Sequence, residues 1–294
     1  MKIAFWSHTR EGACVTTNLA CMAAMTAVHS EKKCMLLENH YSLRNIGDLM
    51  LPSERIECLR EQGQYYNKYG LEHLLKELYS GKNDANMIQH TAIPLLFQNL
   101  FYLPQSFIVN RDVFNYEFEL VRETLFQCLE EAADLLFVDT ESNRNLSTTS
   151  ILSDADLIVV NLRQDTKMLT EFFENHPIIR NKAFFLIGKY QPNHTWNLRR
   201  ICYRFHIPRQ NIGVIPYNLE LEEAVTYGRV LQFLNRNIDE KQNKENAFFM
   251  RQVDRAVELL HQRIESCQDS RDDKCYRIDD FFVAAHGQMT DFVR

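Results

Sequence analysis

Short apolar runs alternating with helix-length segments constrain this chain more than any other feature. The runs are Ile3–Trp6, Cys34–Leu37, Leu96–Leu103, Leu135–Val138, Leu157–Asn161, Ala183–Ile187 and Ile212–Ile215. Several are uninterrupted rather than alternating, which is the pattern of a strand covered on both faces. Between them lie Thr16–Val28, Leu71–Tyr79, Asn115–Ala132, Lys167–Asn175 and Trp196–Phe205, each long enough for a crossover helix. Such alternation predicts an α/β fold: a mostly parallel central sheet, helices on both faces and right-handed crossovers. At 294 residues the chain can bury a full core of this kind.

Three stretches fall outside the alternation. Leu51–Tyr69 is charged and aromatic and reads as an irregular or partly helical insertion. Asp239–Asn246 is a polar run that turns the chain before a last helix over Phe248–Cys267. That helix places Phe249, Val253, Ala256, Val257, Leu260 and Ile264 on one stripe. Beyond Asp269–Lys274, a tail carries Ile278, Phe281, Phe282, Val283, Met289, Phe292 and Val293, apolar enough to dock on its own domain or on a partner. The expected division is an α/β domain over 1–238, an amphipathic helix over 239–268 packed on it, and a tail over 269–294.

The formal net charge of −6 and pI near 5.9 leave no basic footprint for a general grip on nucleic acid. Two short basic clusters, Lys32-Lys33 and Arg199-Arg200, read as solvated surface. No apolar run approaches the roughly 18 residues of a membrane span, and Ile3–Trp6 is too short for a secretory signal. The eight cysteines are scattered, with no CxxC pair or zinc-type spacing; they read as reduced thiols and imply a cytoplasmic protein.

Between the first strand and the first helix lie Ser7-His8-Thr9-Arg10-Glu11-Gly12-Ala13-Cys14-Val15. A loop at this place can turn the orphan N–H groups and positive dipole of a helix N-terminus toward an anion. Farther on, Leu37-Glu38-Asn39-His40 follows the second strand, and Leu135–Val138 runs into Asp139. Acids at the carboxyl ends of buried strands stand where α/β sheets build their sites. Thr16 either coordinates a metal or caps its helix, the cap being the plainer reading. Asp139 either holds a metal or satisfies backbone donors. Cys14 beside a helix N-terminus invites a reactive thiolate with His8 nearby, but Glu11 opposes it and no third orienting group is evident. Glu38 and His40 suggest a metal pair, although their spacing selects no metal.

Taken in order, these segments resemble the MinD/ParA family of P-loop ATPases. The family's deviant Walker A loop, KGGxGKTT, falls without gaps on Arg10–Thr17, with Asn18-Leu19-Ala20 continuing the helix. Gly12, Thr16 and Thr17 match, and Arg10 keeps the positive charge of the signature lysine. Glu11 and Cys14 replace glycines, and Val15 replaces the lysine that bridges the β- and γ-phosphates. Leu37–Ile46 resembles the family's IDFDxGLRNL, with Glu38 at the first aspartate and His40 at the second. Leu135–Thr140 resembles a Walker B strand ending in Asp139, and Ala155–Val160 the next core strand. Gly188-Lys189 stands at the base-contacting pair without its asparagine. Ile212–Tyr217, with Ala224 and Gly228 downstream, follows the closing segment, so the likeness spans about Lys2–Leu234.

The resemblance implies a P-loop NTPase-like fold. It also implies a nucleotide cradle drawn from Arg10, Gly12, Ala13, Cys14, Val15, Thr16, Thr17, Lys189 and Pro216. If ATP or ADP binds, Mg²⁺ would fall to Thr16, Glu38 and Asp139. Losing a preorganised cation at Val15 raises the phosphoryl-transfer barrier by several kcal/mol, so no catalytic residue is assigned and hydrolysis is not expected. A corrupted loop on an intact scaffold is most similar to the TadZ/CpaE branch, whose members position pilus or secretion machinery; short TadZ-like proteins open with KIAFWS, as residues 2–7 do here. The expectation is a cytoplasmic homodimer, at most peripheral to the membrane or cell pole, that acts as a scaffold for such machinery. The rival is an ATP-binding, slow or non-hydrolysing switch that controls dimerisation. DNA or membrane association of the ParA or MinD type is opposed by the acidic charge, with Arg251, Arg255 and Arg263 leaving a small opening.

Overall fold

The apolar runs assemble into one eight-stranded sheet in the computed structural model, which describes residues 1–9, 12–40, 45–52, 54–58, 70–82, 85–105, 111–142, 145–239 and 243–269. The strands are β1 (Lys2–Trp6), β2 (Cys34–Asn39), β3 (Ile93–Pro94), β4 (Leu100–Leu103), β5 (Leu135–Thr140), β6 (Leu157–Leu162), β7 (Ala183–Tyr190) and β8 (Ile212–Pro216). Their spatial order is β3-β4-β2-β5-β1-β6-β7-β8, parallel throughout except where β3 meets β4. The helices are α1 (Val15–His29), α2 (Ile46–Met50), α3 (Leu71–Tyr79), α4 (Ala85–Thr91), α5 (Arg111–Ala132), α6 (Leu146–Asp154), α7 (Thr166–Asn175), α8 (Leu198–Phe205), α9 (Leu219–Thr226), α10 (Val230–Asn237) and α11 (Lys244–Asp269). Every strand residue from β5 and β6 is buried, as their continuous apolar runs require.

Period-two alternation within these buried strands divides the core into two layers. Ile3 and Phe5 face α1, α10 and α11 together with Leu36, Phe137 and Val159. Ala4 and Trp6 face the other way, with Leu37, Val138 and Val160, onto α3, α5, α7 and α8. α1 is apolar almost all round, and Asn18 through Thr26 are all buried, so it lies sandwiched between the sheet and α11. The stripe expected over Phe248–Cys267 is realised in α11, where Phe249, Val253, Ala256, Val257, Leu260 and Ile264 are buried.

One expected strand is shorter than its apolar run. Leu96–Leu103 was expected to be extended, but the strand begins at Leu100, because Leu100 N–H closes a turn onto the Phe97 carbonyl at 3.0 Å. The Asn99 amide holds that turn by donating to the Ala27, Ser30 and Lys32 carbonyls at the end of α1. Side-chain amides compete with strand ladders in this way, and hydrophobicity alone does not reveal it. Of the insertion Leu51–Tyr69, residues 54–58 are helical; 59–69 and the tail from 270 onward lie outside the described residues.

Candidate functional site

β1 sits between β5 and β6, so its carboxyl end opens into the loop that precedes α1 with the ends of both neighbours beside it. Arg10 and Glu11 lie outside the described residues; Gly12 through Thr17 do not. Gly12 is exposed with φ +82°, and Cys14 adopts the left-handed conformation at φ 55° and ψ 37°. Glycine prefers that region, so Cys14 holds a glycine's backbone with a side chain attached. Cys14, not Thr16, is the N-cap of α1, and no side chain caps the helix. Among the described residues, neither the Thr16 nor the Thr17 hydroxyl makes a hydrogen bond. The first-turn N–H groups are therefore left to solvent or a ligand.

Two cations border this loop. The Arg163 guanidinium, the first residue beyond β6, lies against Gly12 so closely that a Cβ there would collide with it. Lys189, at φ 47° in an irregular stretch of β7, pairs with Glu222 at 2.8 Å. Gly188 lets β7 approach, because a Cβ there would lie 2.8 Å from the Asn18 amide and 3.2 Å from the Ala13 carbonyl. A buried amide pair fastens the loop from below. Asn18 donates to the Ala13 carbonyl at 3.2 Å and to Asn161 at 2.9 Å, and Asn161 donates to the Trp6 carbonyl at 3.3 Å. Pro216 closes β8 next to this group, where Tyr217 N–H bonds the Tyr190 carbonyl at 3.0 Å.

Val15, the first residue of α1, is apolar. Its side chain is half-buried and packs against both core layers, so it turns inward instead of projecting a charge over the loop. The thiol of Cys14 is not activated by its surroundings. Burial pushes it up, outweighing the favourable influence of Lys189 and Arg163. His8 is engaged elsewhere, its ring 5.5 Å from Phe172 and 5.7 Å from His176.

The acidic residues at the ends of β2 and β5 are buried. The parallel register of β2 and β5 sets Glu38 opposite Asp139 and Asn39 opposite Thr140. Partners in such a register share a face, so the two carboxyl groups confront each other at 1% exposure each. His40 comes between them. Its Nε2 lies 2.9 Å from Asp139 Oδ2 and 3.7 Å from Glu38 Oε2. Tyr102, on β4, donates its hydroxyl to Glu38 Oε1. Burial pulls the imidazole down, but Asp139 and Glu38 together raise it to about 9. Burial raises Glu38 to about 7 against the opposing pull of His40 and Tyr102. The corner thus carries its own counter-charge at neutral pH.

Mg²⁺–nucleotide, the group that the fold implies, does not fit these residues. Glu38 Oε1 accepts from Tyr102 and Asp139 Oδ2 pairs with His40, whose Nε2 also lies 3.7 Å from the otherwise unpartnered Glu38 Oε2, so an imidazole sits where a divalent ion would need open oxygen ligands. Among the described residues no group of three His, Cys, Asp or Glu side chains is arranged to hold a metal. Gly12, Cys14, Arg163 and Lys189 thus frame a loop with an uncapped helix N-terminus and two cations, while His40 lies against both strand-end acids. Tyr102 and Arg163 were not anticipated from the sequence. A tyrosine within an apolar strand run and an arginine directly after a buried strand were the available signals.

The sequence matches no protein-family model and no curated protein. Solved structures do match. The cell division ATPase MinD of Pyrococcus furiosus superposes with a TM-score of 0.63 at 13% identity, over 89% of this chain and 98% of that one. A ParA family ATPase from Chlorobium tepidum gives 0.64 at 10% identity, over 87% and 98%. MinD in the MinC:MinD cell division complex of Aquifex aeolicus gives 0.60 at 13% identity, over 89% and 95%. At these identities the likeness is one of fold, and the fold of this chain is the P-loop NTPase fold in the form that MinD and ParA ATPases share.

Proposed function

We propose that this protein is a pseudo-ATPase of the MinD/ParA fold, a scaffold or localisation factor that works through protein contacts rather than hydrolysis. In this reading it forms a homodimer across the loop face and recruits components of a pilus or secretion apparatus, as its likeness to TadZ/CpaE sequences suggests. The carrying observation is the buried His40–Asp139 pair, 2.9 Å apart at the corner where the fold's ATPases need an open metal position. Val15 supports it by packing inward where a phosphate-bridging lysine would reach out. A binding role is also in keeping with the fold, since the Aquifex aeolicus MinD is known in complex with MinC.

The rival reading, a nucleotide switch without efficient hydrolysis, draws on the uncapped N-terminus of α1 and the cations Arg163 and Lys189 beside it. Calorimetry with ATP and ADP, with and without Mg²⁺, separates the two. The scaffold reading expects no binding tighter than millimolar and no effect of Mg²⁺. Micromolar, Mg²⁺-dependent binding would overturn it in favour of the switch.

A further inference from the structure

Charge is segregated along this chain in a way that its overall balance hides. The 45 residues from 175 to 219 hold seven of its 33 lysines and arginines and none of its 39 acids, which leaves 26 basic against 39 acidic side chains elsewhere. The fold gathers much of that charge on the outer face of α8. Ile201, Cys202 and Phe205 turn inward, while Arg199, Arg200, Tyr203 and Arg204 face out, with Tyr203 83% exposed. Arg209 follows directly in the turn after the helix.

Two of these guanidinium groups are held against aromatic rings. Arg200 lies over the Trp196 ring at 4.8 Å and Arg204 over Phe205 at 5.8 Å. Trp196 and Phe205 are themselves stacked at 6.2 Å, and Phe205 stacks on Phe173 at 4.4 Å. Arg180 braces the far end of the helix by donating to the Phe205 and His206 carbonyls. Among the described residues, Arg199, Arg200, Arg204 and Arg209 have no acidic partner; Arg209 donates to Cys202 Sγ at 3.9 Å, and the fork-shaped donors of the other three remain available.

We infer that the outer face of α8 is a docking surface for a short acidic segment of a partner protein, with Arg199, Arg200 and Arg204 taking carboxylates and Tyr203 an apolar side chain. Four arginines and no lysine on this helix and its turn favour planar, bidentate recognition of carboxylate over a diffuse field. Arginine, tyrosine and tryptophan are also the residues that anchor protein interfaces. Size argues against larger polyanions. An eight-residue helix is about 12 Å long, whereas a DNA duplex or an anionic bilayer would extend over the acidic remainder of the surface and be repelled. This assignment does not depend on the state of the loop, so its failure would leave the calorimetric test of the scaffold reading intact.

Fluorescence anisotropy with the full chain provides the test. The probes are a labelled glutamate-rich decapeptide containing one phenylalanine, a 20-base-pair DNA duplex, phosphatidylglycerol vesicles and a peptide of this chain's residues 269–294. The decapeptide should bind best, weaken with salt and weaken at least tenfold in Arg199→Glu/Arg204→Glu. Tyr203→Ala should weaken it at least threefold without changing charge, while Lys32→Glu/Lys33→Glu, with the same charge change elsewhere, should leave it alone. Unchanged unfolding midpoints would exclude misfolding as the cause. Tighter binding of DNA, vesicles or the 269–294 peptide, or equal loss with the Lys32/Lys33 variant, would overturn the assignment.

Discussion

His40 inserts a cation between two carboxyl groups that the β2–β5 register forces onto one face. Such a pair is costly to bury unless each charge is matched, and removing one partner is the damaging change. The folded-state value near 9 lies above the ordinary 6.5. The stability that His40 contributes is therefore complete below pH 6.5 and is lost as pH rises through 9. His40→Gln keeps a donor and removes the titration. The wild type should lose about 2 kcal/mol more than this variant between pH 7.5 and 9.5, measured by urea unfolding; parallel curves would show that the histidine is neutral. Glu38, raised to about 7, contributes in the same direction at lower pH, its stabilisation present below the ordinary carboxylate range and lost through neutrality. From the sequence, Glu38 and Asp139 stood out as acids at strand ends and His40 as a broken aspartate position. That the last compensates the other two was not legible, because the pairing partners are 99 residues apart.

Among the elements, β8 and α11 show how a small residue sets packing distance. A Cβ on Gly213 would lie 2.7 Å from the Ala256 Cβ, a contact that real side chains do not make. Gly213→Ala should push α11 from the sheet and cost about 2 kcal/mol in chemical denaturation. Ala256→Gly in that background should recover part of the loss; no recovery would place the strain elsewhere. The strands and helices themselves were largely readable, since a buried parallel strand and an amphipathic helix each announce a period. The strand at Leu96–Leu103 was one exception, shortened by the Asn99 amide bonds that no period encodes, and β3, α4, α6, α9 and α10 are further elements that the apolar runs did not announce. Cys14 is the converse case, a residue whose identity argues against the left-handed conformation that the loop nevertheless adopts.

For the whole molecule, α11 is part of the core rather than an appendage, since Phe249, Val253 and Leu260 are fully buried against α1 and the sheet. We propose that the unit over 1–238 does not fold independently of it. A chain ending at residue 238 should lose its cooperative thermal transition and aggregate, because α1 and β8 would expose their apolar faces; a sharp transition would make α11 accessory. Among the described residues no helix is long and apolar enough to cross a membrane. The sequence by itself determined the layers and most of the strands, because apolar spacing is a local property. Only the tertiary structure decided that Arg163 lies against Gly12, that His40 fills the acidic corner and that the arginines of α8 share one aromatic-backed face. Those outcomes depend on strand order, β4-β2-β5-β1-β6-β7, and on register, which bring distant residues within hydrogen-bond reach.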